Sequence, residues 1–227
     1  PPGTGKTTTA AQILRQWLWD SSGEGCKALA AAPSRAAARR VADALPEEER
    51  FFLQWRAEDG LWAEHRRRFC WSRLAVATCA GAGHDLFDEG LFRWVLLDEA
   101  TQATEPEALI PLARCGKSVH HVVLVGDPQQ LPPTVLSMAA QRLGLATSLF
   151  ERLVAEVGPK EVLLLDMQFR MLPALAAFPA AFFYQGLLAT GRSEEEPEPL
   201  RHHETVNFTG VRGYERSVGT SYDNAAE

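Results

Sequence analysis

Pro1-Pro2-Gly3-Thr4-Gly5-Lys6-Thr7-Thr8 opens the chain, and its reading decides the fold. Glycines at positions 3 and 5 let successive backbone N–H groups turn inward toward phosphate oxygens. Lys6 is placed to neutralise β- and γ-phosphate oxygens, and the Thr7 hydroxyl to bind Mg²⁺. The stretch Thr8–Trp19 carries Ile13, Leu14, Trp17 and Leu18 on one helical face. A helix starting directly after the loop would aim its positive end at the phosphates. The eight residues therefore read as a Walker A loop, with Pro2, Gly3, Thr4, Gly5, Lys6, Thr7 and Thr8 around the phosphates. Its first glycine would fall one place before Pro1. A Gly/Pro turn that merely precedes a lysine is the plainer alternative, and the helix behind it argues against that.

Outward from this loop, short apolar runs alternate with helical patterns. Strands are expected at Ala28–Ala32, Leu74–Thr78, Trp94–Leu97, His121–Val125 and Val162–Leu165, and helices at Arg35–Leu45, Glu105–Leu112 and Ser148–Val157. That alternation predicts an α/β fold with a parallel sheet covered by helices on both faces. Phe51–Arg73 is helical in composition and reads as an insertion, with bounds of about 46–73. Thr190–Glu204 is polar and reads as a surface loop, and Val206–Phe208 as one further strand.

Trp94–Leu97 runs into Asp98 and Glu99. Ligand sites of parallel α/β sheets lie at the carboxyl ends of the strands. Asp98 is thus placed to hold Mg²⁺, and Glu99 to orient and deprotonate a water, a role typically worth about 10² to 10⁴ in rate. By itself the pair could equally be an acidic helix cap. The next buried strand leads into Gly126-Asp127-Pro128-Gln129-Gln130-Leu131-Pro132-Pro133, a stiff polar loop from which Gln130 could reach a γ-phosphate and a neighbouring domain. Further on, Asp166-Met167-Gln168-Phe169-Arg170 offers an arginine and an aromatic face. Taken alone this reads as a surface arginine beside a core phenylalanine; beside a nucleotide, an arginine finger is worth about 10³ to 10⁵ in rate.

The bulk properties agree with an ordinary globular α/β protein of 227 residues. A net charge of −6 argues against attraction of the whole surface to nucleic acid but leaves room for a local basic groove. His65-Arg66-Arg67-Arg68 could line one, or could be a solvated helix face paired with Glu58, Asp59 and Glu64. Cys26, Cys70, Cys79 and Cys115 lack zinc-site spacing and read as reduced thiols of a cytoplasmic or nuclear protein. Met171–Gly191 carries no charge, but Pro173, Pro179, Gln185 and Gly186 break it, so a short helix and turn is expected rather than a membrane span.

Taken together, these segments resemble the superfamily 1 helicases of the nonsense-transcript-regulator and senataxin type. Pro1–Thr7 is similar to motif I, Ala32-Pro33-Ser34 to motif Ia, and Val76–Cys79 with Gly81–Gly83 to motif Ib. Asp98–Ala108 (DEATQATEPEA) resembles motif II, Gly126–Val135 (GDPQQLPPTV) motif III, and Gln168–Pro173 (QFRMLP) motif IV. Phe183–Gly186 continues the pattern, and Gly219–Tyr222 with Asn224 and Glu227 resembles the place where a second RecA-like domain begins its next helix. The resemblance seen in DEATQATEPEA and SLFERL is to the RNA-decay branch.

The resemblance implies a P-loop NTPase with a RecA-like domain at 1–160 and the start of a second at 161–227. It implies ATP and Mg²⁺, with the metal at Thr7 and Asp98, Glu99 activating water, Gln130 sensing the γ-phosphate, Arg170 reaching it from the second domain, and Phe169 near the base. Phe169 stands where relatives more often have Tyr, and Leu172 where they have His. Pro33, Ser34 and Thr78 would touch the backbone of single-stranded RNA or DNA, along which the family moves 5′ to 3′. RNA-decay or RNA-processing factors are implied as partners, with a monomeric protein and no membrane. Motifs V and VI and the strand feeding the phosphate loop are not seen, so this piece alone is expected to hydrolyse and unwind poorly. The competing expectations are a P-loop ATPase that is not a helicase and a non-catalytic nucleic-acid-binding fragment.

Overall fold

The computed structural model describes residues 1–20, 27–52, 62–89, 91–158, 161–192, 215–218 and 221–224. Its centre is a five-stranded parallel sheet built from β1 (Lys27–Ala32), β2 (Arg50–Phe52), β3 (Leu74–Thr78), β4 (Phe92–Leu97) and β5 (His121–Leu124), in the spatial order β2-β3-β1-β4-β5. The α/β class read from the sequence is the one found.

Strand β1 shows what holds the sheet. Its sequence KALAAA has little intrinsic strand preference, yet it pairs with β3 on one side and β4 on the other and is buried throughout. Alternation sorts its side chains between two cores. Ala28, Ala30 and Ala32 face α1 (Lys6–Asp20) and α2 (Arg35–Asp43), meeting Ala10, Leu14, Ala37, Ala38 and Val41. Leu29 and Ala31 face α3 (Trp62–Trp71), α4 (Glu105–Cys115) and α6 (Leu149–Val157), meeting Phe69, Ala108, Leu149 and Phe150. A short helix, α5 (Met138–Arg142), precedes α6, whose start is fixed by a capping box between Ser148 and Glu151. The small alanines allow helices to approach the sheet closely on both faces.

Two expectations are corrected. Phe51 and Phe52 do not begin a helix: they continue Arg50 into β2, parallel to β3, because Phe51 drops into the core edge-on to Phe69 at 5.5 Å. Residues 53–61 of the expected insertion lie outside the described residues. Val162–Leu165 is not a strand either. Leu163 is 95% exposed, and among the described residues no ladder partner runs beside it. The pairing occurs later, where β6 (Met167–Gln168) lies parallel to β7 (Ala189–Thr190), with α7 (Pro173–Phe183) between them. The antiparallel pair β8 (Glu215–Val218) and β9 (Ser221–Asn224) follows. The expected strand at 206–208 and most of the expected loop at 190–204 lie outside the described residues; of the segment 219–227, expected to begin a helix, the described residues Ser221–Asn224 form strand β9 instead. None of the described helices is long and apolar enough to cross a membrane.

Lys27 gives an unanticipated detail. Its ammonium is buried at the end of α3 and donates to the carbonyls of Phe69 (2.8 Å), Cys70 (3.1 Å) and Ser72. The cation thus takes up carbonyls that the last turn of a helix leaves unpaired.

Candidate functional site

Five chain segments meet at the carboxyl ends of β1, β3, β4 and β5. The phosphate-loop segment has the backbone its glycines predict: Gly3 and Gly5 have φ of +73° and +79°, a region other residues rarely enter. The first intrahelical bond of α1 runs from Thr9 N–H to the Gly5 carbonyl at 2.8 Å. The backbone N–H groups of Lys6, Thr7 and Thr8 precede it and have no intrahelical acceptor, which is the anion-binding arrangement of a helix N-terminus. Thr4 is buried and its hydroxyl donates to the Pro1 carbonyl at 2.9 Å, closing the loop on itself across Pro2.

Asp98, at the end of β4, is buried, and its Oδ2 accepts a 3.0 Å hydrogen bond from the Thr7 hydroxyl. Burial raises the Asp98 carboxyl above its ordinary value, against the pull of that hydrogen bond. A hydroxyl and a carboxylate oxygen side by side, at a carboxylate whose charge is costly to bury, form a donor set suited to a hard divalent cation such as Mg²⁺. Glu99 follows in the left-handed region (φ 53°, ψ 38°), a conformation that costs a residue with a side chain about 1 to 3 kcal/mol and is typical of functional sites. Its carboxylate is held from two sides, by Arg40 Nη2 at 3.4 Å and Gln102 Nε2 at 3.3 Å.

Lys6 stands on the other flank of the loop. Its Nζ donates to the Pro1 carbonyl at 2.8 Å and lies 3.9 Å from Asp127 Oδ2. Gln130 is held on the same carboxylate, Nε2 to Oδ2 at 2.6 Å. The lysine and the glutamine are therefore brought together through an aspartate that the sequence reading quoted but gave no role. Thr101 locks that loop: its hydroxyl oxygen accepts from Asp127 N–H at 3.2 Å, and a Cβ placed on Gly126 would come within 2.9 Å of its methyl.

Phe169 and Arg170 lie against the phosphate loop. Phe169 N–H donates to the Gly3 carbonyl at 2.9 Å, and a Cβ on Gly3 would sit 2.5 Å from Arg170 Cβ. The segment is pinned by Gln168, fully buried, whose Oε1 accepts from the N–H groups of Arg170 (2.8 Å) and Met171 (2.7 Å) and whose Nε2 donates to the Met171 carbonyl and the Thr190 hydroxyl. The Phe169 ring covers Gly191 and remains 63% exposed.

Pro33, Ser34 and Thr78 also fall together, because Ala32 and Thr78 are neighbours across β1 and β3. Ser34 caps α2 by accepting Ala37 N–H at 3.1 Å, and Thr78 Oγ1 accepts Gly81 N–H at 2.9 Å. Both hydroxyls keep their own proton free to donate. Cys79 and Cys115 are buried thiols, pushed up to about 12 by burial and so chemically inert. Asp127, Gln168, Arg40 and Lys27 are the residues sequence reasoning missed. Asp127 alone carried a signal, as an acid just beyond an apolar strand beside the one that ends in Asp98; that strand, β5, was expected to be buried but is the outer one of the described sheet, with Val122 45% exposed.

Known proteins give the same answer. Two family profiles, each described as an AAA domain, match residues 71–138 and 145–227. The regulator of nonsense transcripts 1 homolog of Arabidopsis thaliana is 43% identical over 163 residues, which is 68% of this chain and 13% of that protein. Helicase SEN1 of Saccharomyces cerevisiae is 38% identical over 166 residues, 69% of this chain and 7% of that one. The 5′-3′ DNA helicase ZGRF1 of Mus musculus is 42% identical over 160 residues, 68% of this chain and 8% of that one. The chain thus spans a small part of the length of the relatives it matches. The acidic strand end and the GDPQQ loop lie within the first matched profile, and with the phosphate loop meeting them at the carboxyl end of the sheet, the chain is similar to the superfamily 1 helicases of the nonsense-transcript-regulator and senataxin type.

Proposed function

We propose that the protein containing this chain is an ATP-dependent helicase or translocase on single-stranded nucleic acid, RNA in preference to DNA, moving 5′ to 3′. The observation that carries this reading is the hydrogen bond from Thr7 to Asp98, which joins the phosphate loop to the acidic strand end across 91 positions of sequence.

In this reading Pro2 to Thr8 wrap the triphosphate, and Lys6 leaves the Pro1 carbonyl for the β- and γ-phosphate oxygens. Thr7 and Asp98 would hold Mg²⁺, which when bound neutralises phosphate charge. Glu99, steadied by Arg40 and Gln102, takes the proton of the attacking water. Gln130 touches the γ-phosphate, Arg170 offsets charge on it, and Phe169 stacks on the base. Pro33, Ser34 and Thr78 donate to or pack against backbone phosphates, contacts that do not depend on sequence. Residues 1–160 form the first RecA-like unit and 161–227 begin the second. The direction is supported by the likeness to a 5′-3′ DNA helicase, and the choice of RNA by the likeness to a regulator of nonsense transcripts. A monomer acting with RNA-decay or RNA-processing factors, in cytoplasm or nucleus, completes the reading.

The test is ATP turnover by the full-length protein with and without single-stranded RNA or DNA. RNA should stimulate turnover more than DNA, and Lys6→Ala should abolish it. Turnover indifferent to either polymer would instead favour a P-loop ATPase that is not a helicase, and no turnover with intact polymer binding would favour a binding fragment.

A further inference from the structure

Asp127 is 3% exposed and is reached by three segments of the chain. Its Oδ1 accepts Gln129 N–H at 3.1 Å. Its Oδ2 accepts from Gln130 Nε2 at 2.6 Å and from the Tyr184 hydroxyl at 2.8 Å. A carboxylate oxygen offers roughly two lone-pair sites, so these two donors fill Oδ2. Lys6 Nζ, 3.9 Å away, and the Pro1 nitrogen, 3.4 Å away, face Oδ2 as ion pairs, and the lysine spends its hydrogen bond on the Pro1 carbonyl. Tyr184 occupies the acceptor site that the lysine would otherwise take.

Tyr184 is held in that place by the turn that ends α7. Gln185 and Gly186 both have positive φ (54° and 75°). Gly186 N–H donates back to the Ala180 carbonyl at 2.8 Å, and Leu187 N–H to the Tyr184 carbonyl at 2.9 Å. The tyrosine thus comes from the α7 segment, whereas Lys6, Asp127 and Gln130 belong to the five-stranded unit.

We propose that Tyr184 is a positioning residue for the phosphate-binding lysine: by filling Asp127 Oδ2 it keeps the 3.9 Å ion pair with Lys6 from closing into direct contact, so that the ammonium can turn from the Pro1 carbonyl to the triphosphate. This rests on the phosphate-loop reading above. A lysine and an aspartate in direct contact away from water attract strongly, and that attraction competes with phosphate for the same ammonium. With the hydroxyl on Asp127 the competition is weakened. When the α7 segment moves off, an acceptor site opens on Oδ2 and the lysine is drawn from the nucleotide. Affinity for ATP thereby depends on where the second unit lies.

The experiment measures the affinity of the full-length protein for a slowly hydrolysed ATP analogue, without nucleic acid. Tyr184→Phe keeps the ring and removes the hydroxyl; affinity should fall roughly tenfold, the usual scale for a charge-assisted hydrogen bond. Adding Asp127→Asn removes the competing charge, so the double variant should recover to within about twofold of wild type. A tyrosine with a merely structural role would not be rescued in this way. Unchanged affinity in Tyr184→Phe, or a double variant as weak as the single, overturns the proposal. Lys6→Ala, measured alongside, separates the two readings. Wild-type affinity there would sink the phosphate-loop assignment itself, while lost affinity there with an unaffected Tyr184→Phe would sink only the role of Tyr184.

Discussion

The Thr7 hydroxyl lies 3.0 Å from Asp98 Oδ2 and donates to it, so the first turn of α1 is tied to the end of β4. That bond satisfies one carboxylate oxygen; the other accepts Glu99 N–H at 3.1 Å. Two neutral donors do not offset the burial of a negative charge. Asp98→Asn should therefore stabilise the nucleotide-free protein, by about 0.5 to 2 kcal/mol as is usual when a strained functional group is relieved, and at the same time remove magnesium-dependent ATP turnover. Thermal melting without nucleotide, set beside an ATPase assay, checks both. A variant that melts lower than wild type would show that the carboxylate serves the fold instead.

Glu99 stays in a left-handed conformation with Arg40 and Gln102 on its carboxylate. Glutamine keeps the size and one acceptor but cannot take a proton. Glu99→Gln should lower kcat by about 10² to 10⁴ while ATP affinity stays near wild type. A single-turnover assay combined with nucleotide titration separates the two quantities. Equal losses in affinity and rate would assign Glu99 to binding.

Gly3 combines a positive φ with a neighbour too close for any side chain, since an added Cβ would meet Arg170 Cβ at 2.5 Å. Gly3→Ala should push the Phe169–Arg170 segment off the loop and strain the backbone, at a combined cost of about 1 to 3 kcal/mol. A raised KM for ATP and a lower unfolding midpoint are the expected readings. Gly144 also has a positive φ, but nothing lies within 4 Å of its added Cβ. Gly144→Ala therefore serves as a control for backbone strain without the clash.

Burial alone would raise the Asp127 carboxyl, but the hydrogen bonds from Tyr184, Gln130 and Gln129 outweigh it and hold the group below its ordinary 3.8. The folded state thus releases this proton more readily than the unfolded chain. Its contribution to stability is present above the unfolded value and is lost as pH falls through the lower folded value. Melting temperature followed from neutral pH to below about pH 4 should fall less steeply in Asp127→Asn than in wild type. Parallel curves would place the acid sensitivity on other carboxylates.

How much of this was legible in the sequence depended on how local the chemistry is. Gly3 and Gly5 could be read directly, because a backbone conformation that excludes side chains leaves its mark in residue type alone. Asp98 and Glu99 could be read because a buried strand must end before charges begin, and the end of a parallel strand is where ligands bind. The helices of the sheet unit showed in their apolar periodicity. Apolar composition misled at Val162–Leu165, where four suitable residues have no ladder to join among the described residues and Leu163 stands in solvent. It failed to reveal β2, whose three residues pair because Phe51 finds Phe69.

The sequence by itself determined which groups could handle a phosphate and at which end of the sheet they would stand, since glycine conformations, strand ends and helix starts are properties of a few adjacent residues. Only the tertiary structure decided which donor each of those groups would meet. Tyr184 reaches Asp127 across 57 positions, and Lys27 closes a helix that begins 35 residues later. Such partnerships follow from how whole elements pack, and a hydrogen bond that exists only within about 3 Å leaves no trace in the spacing of the residues that make it.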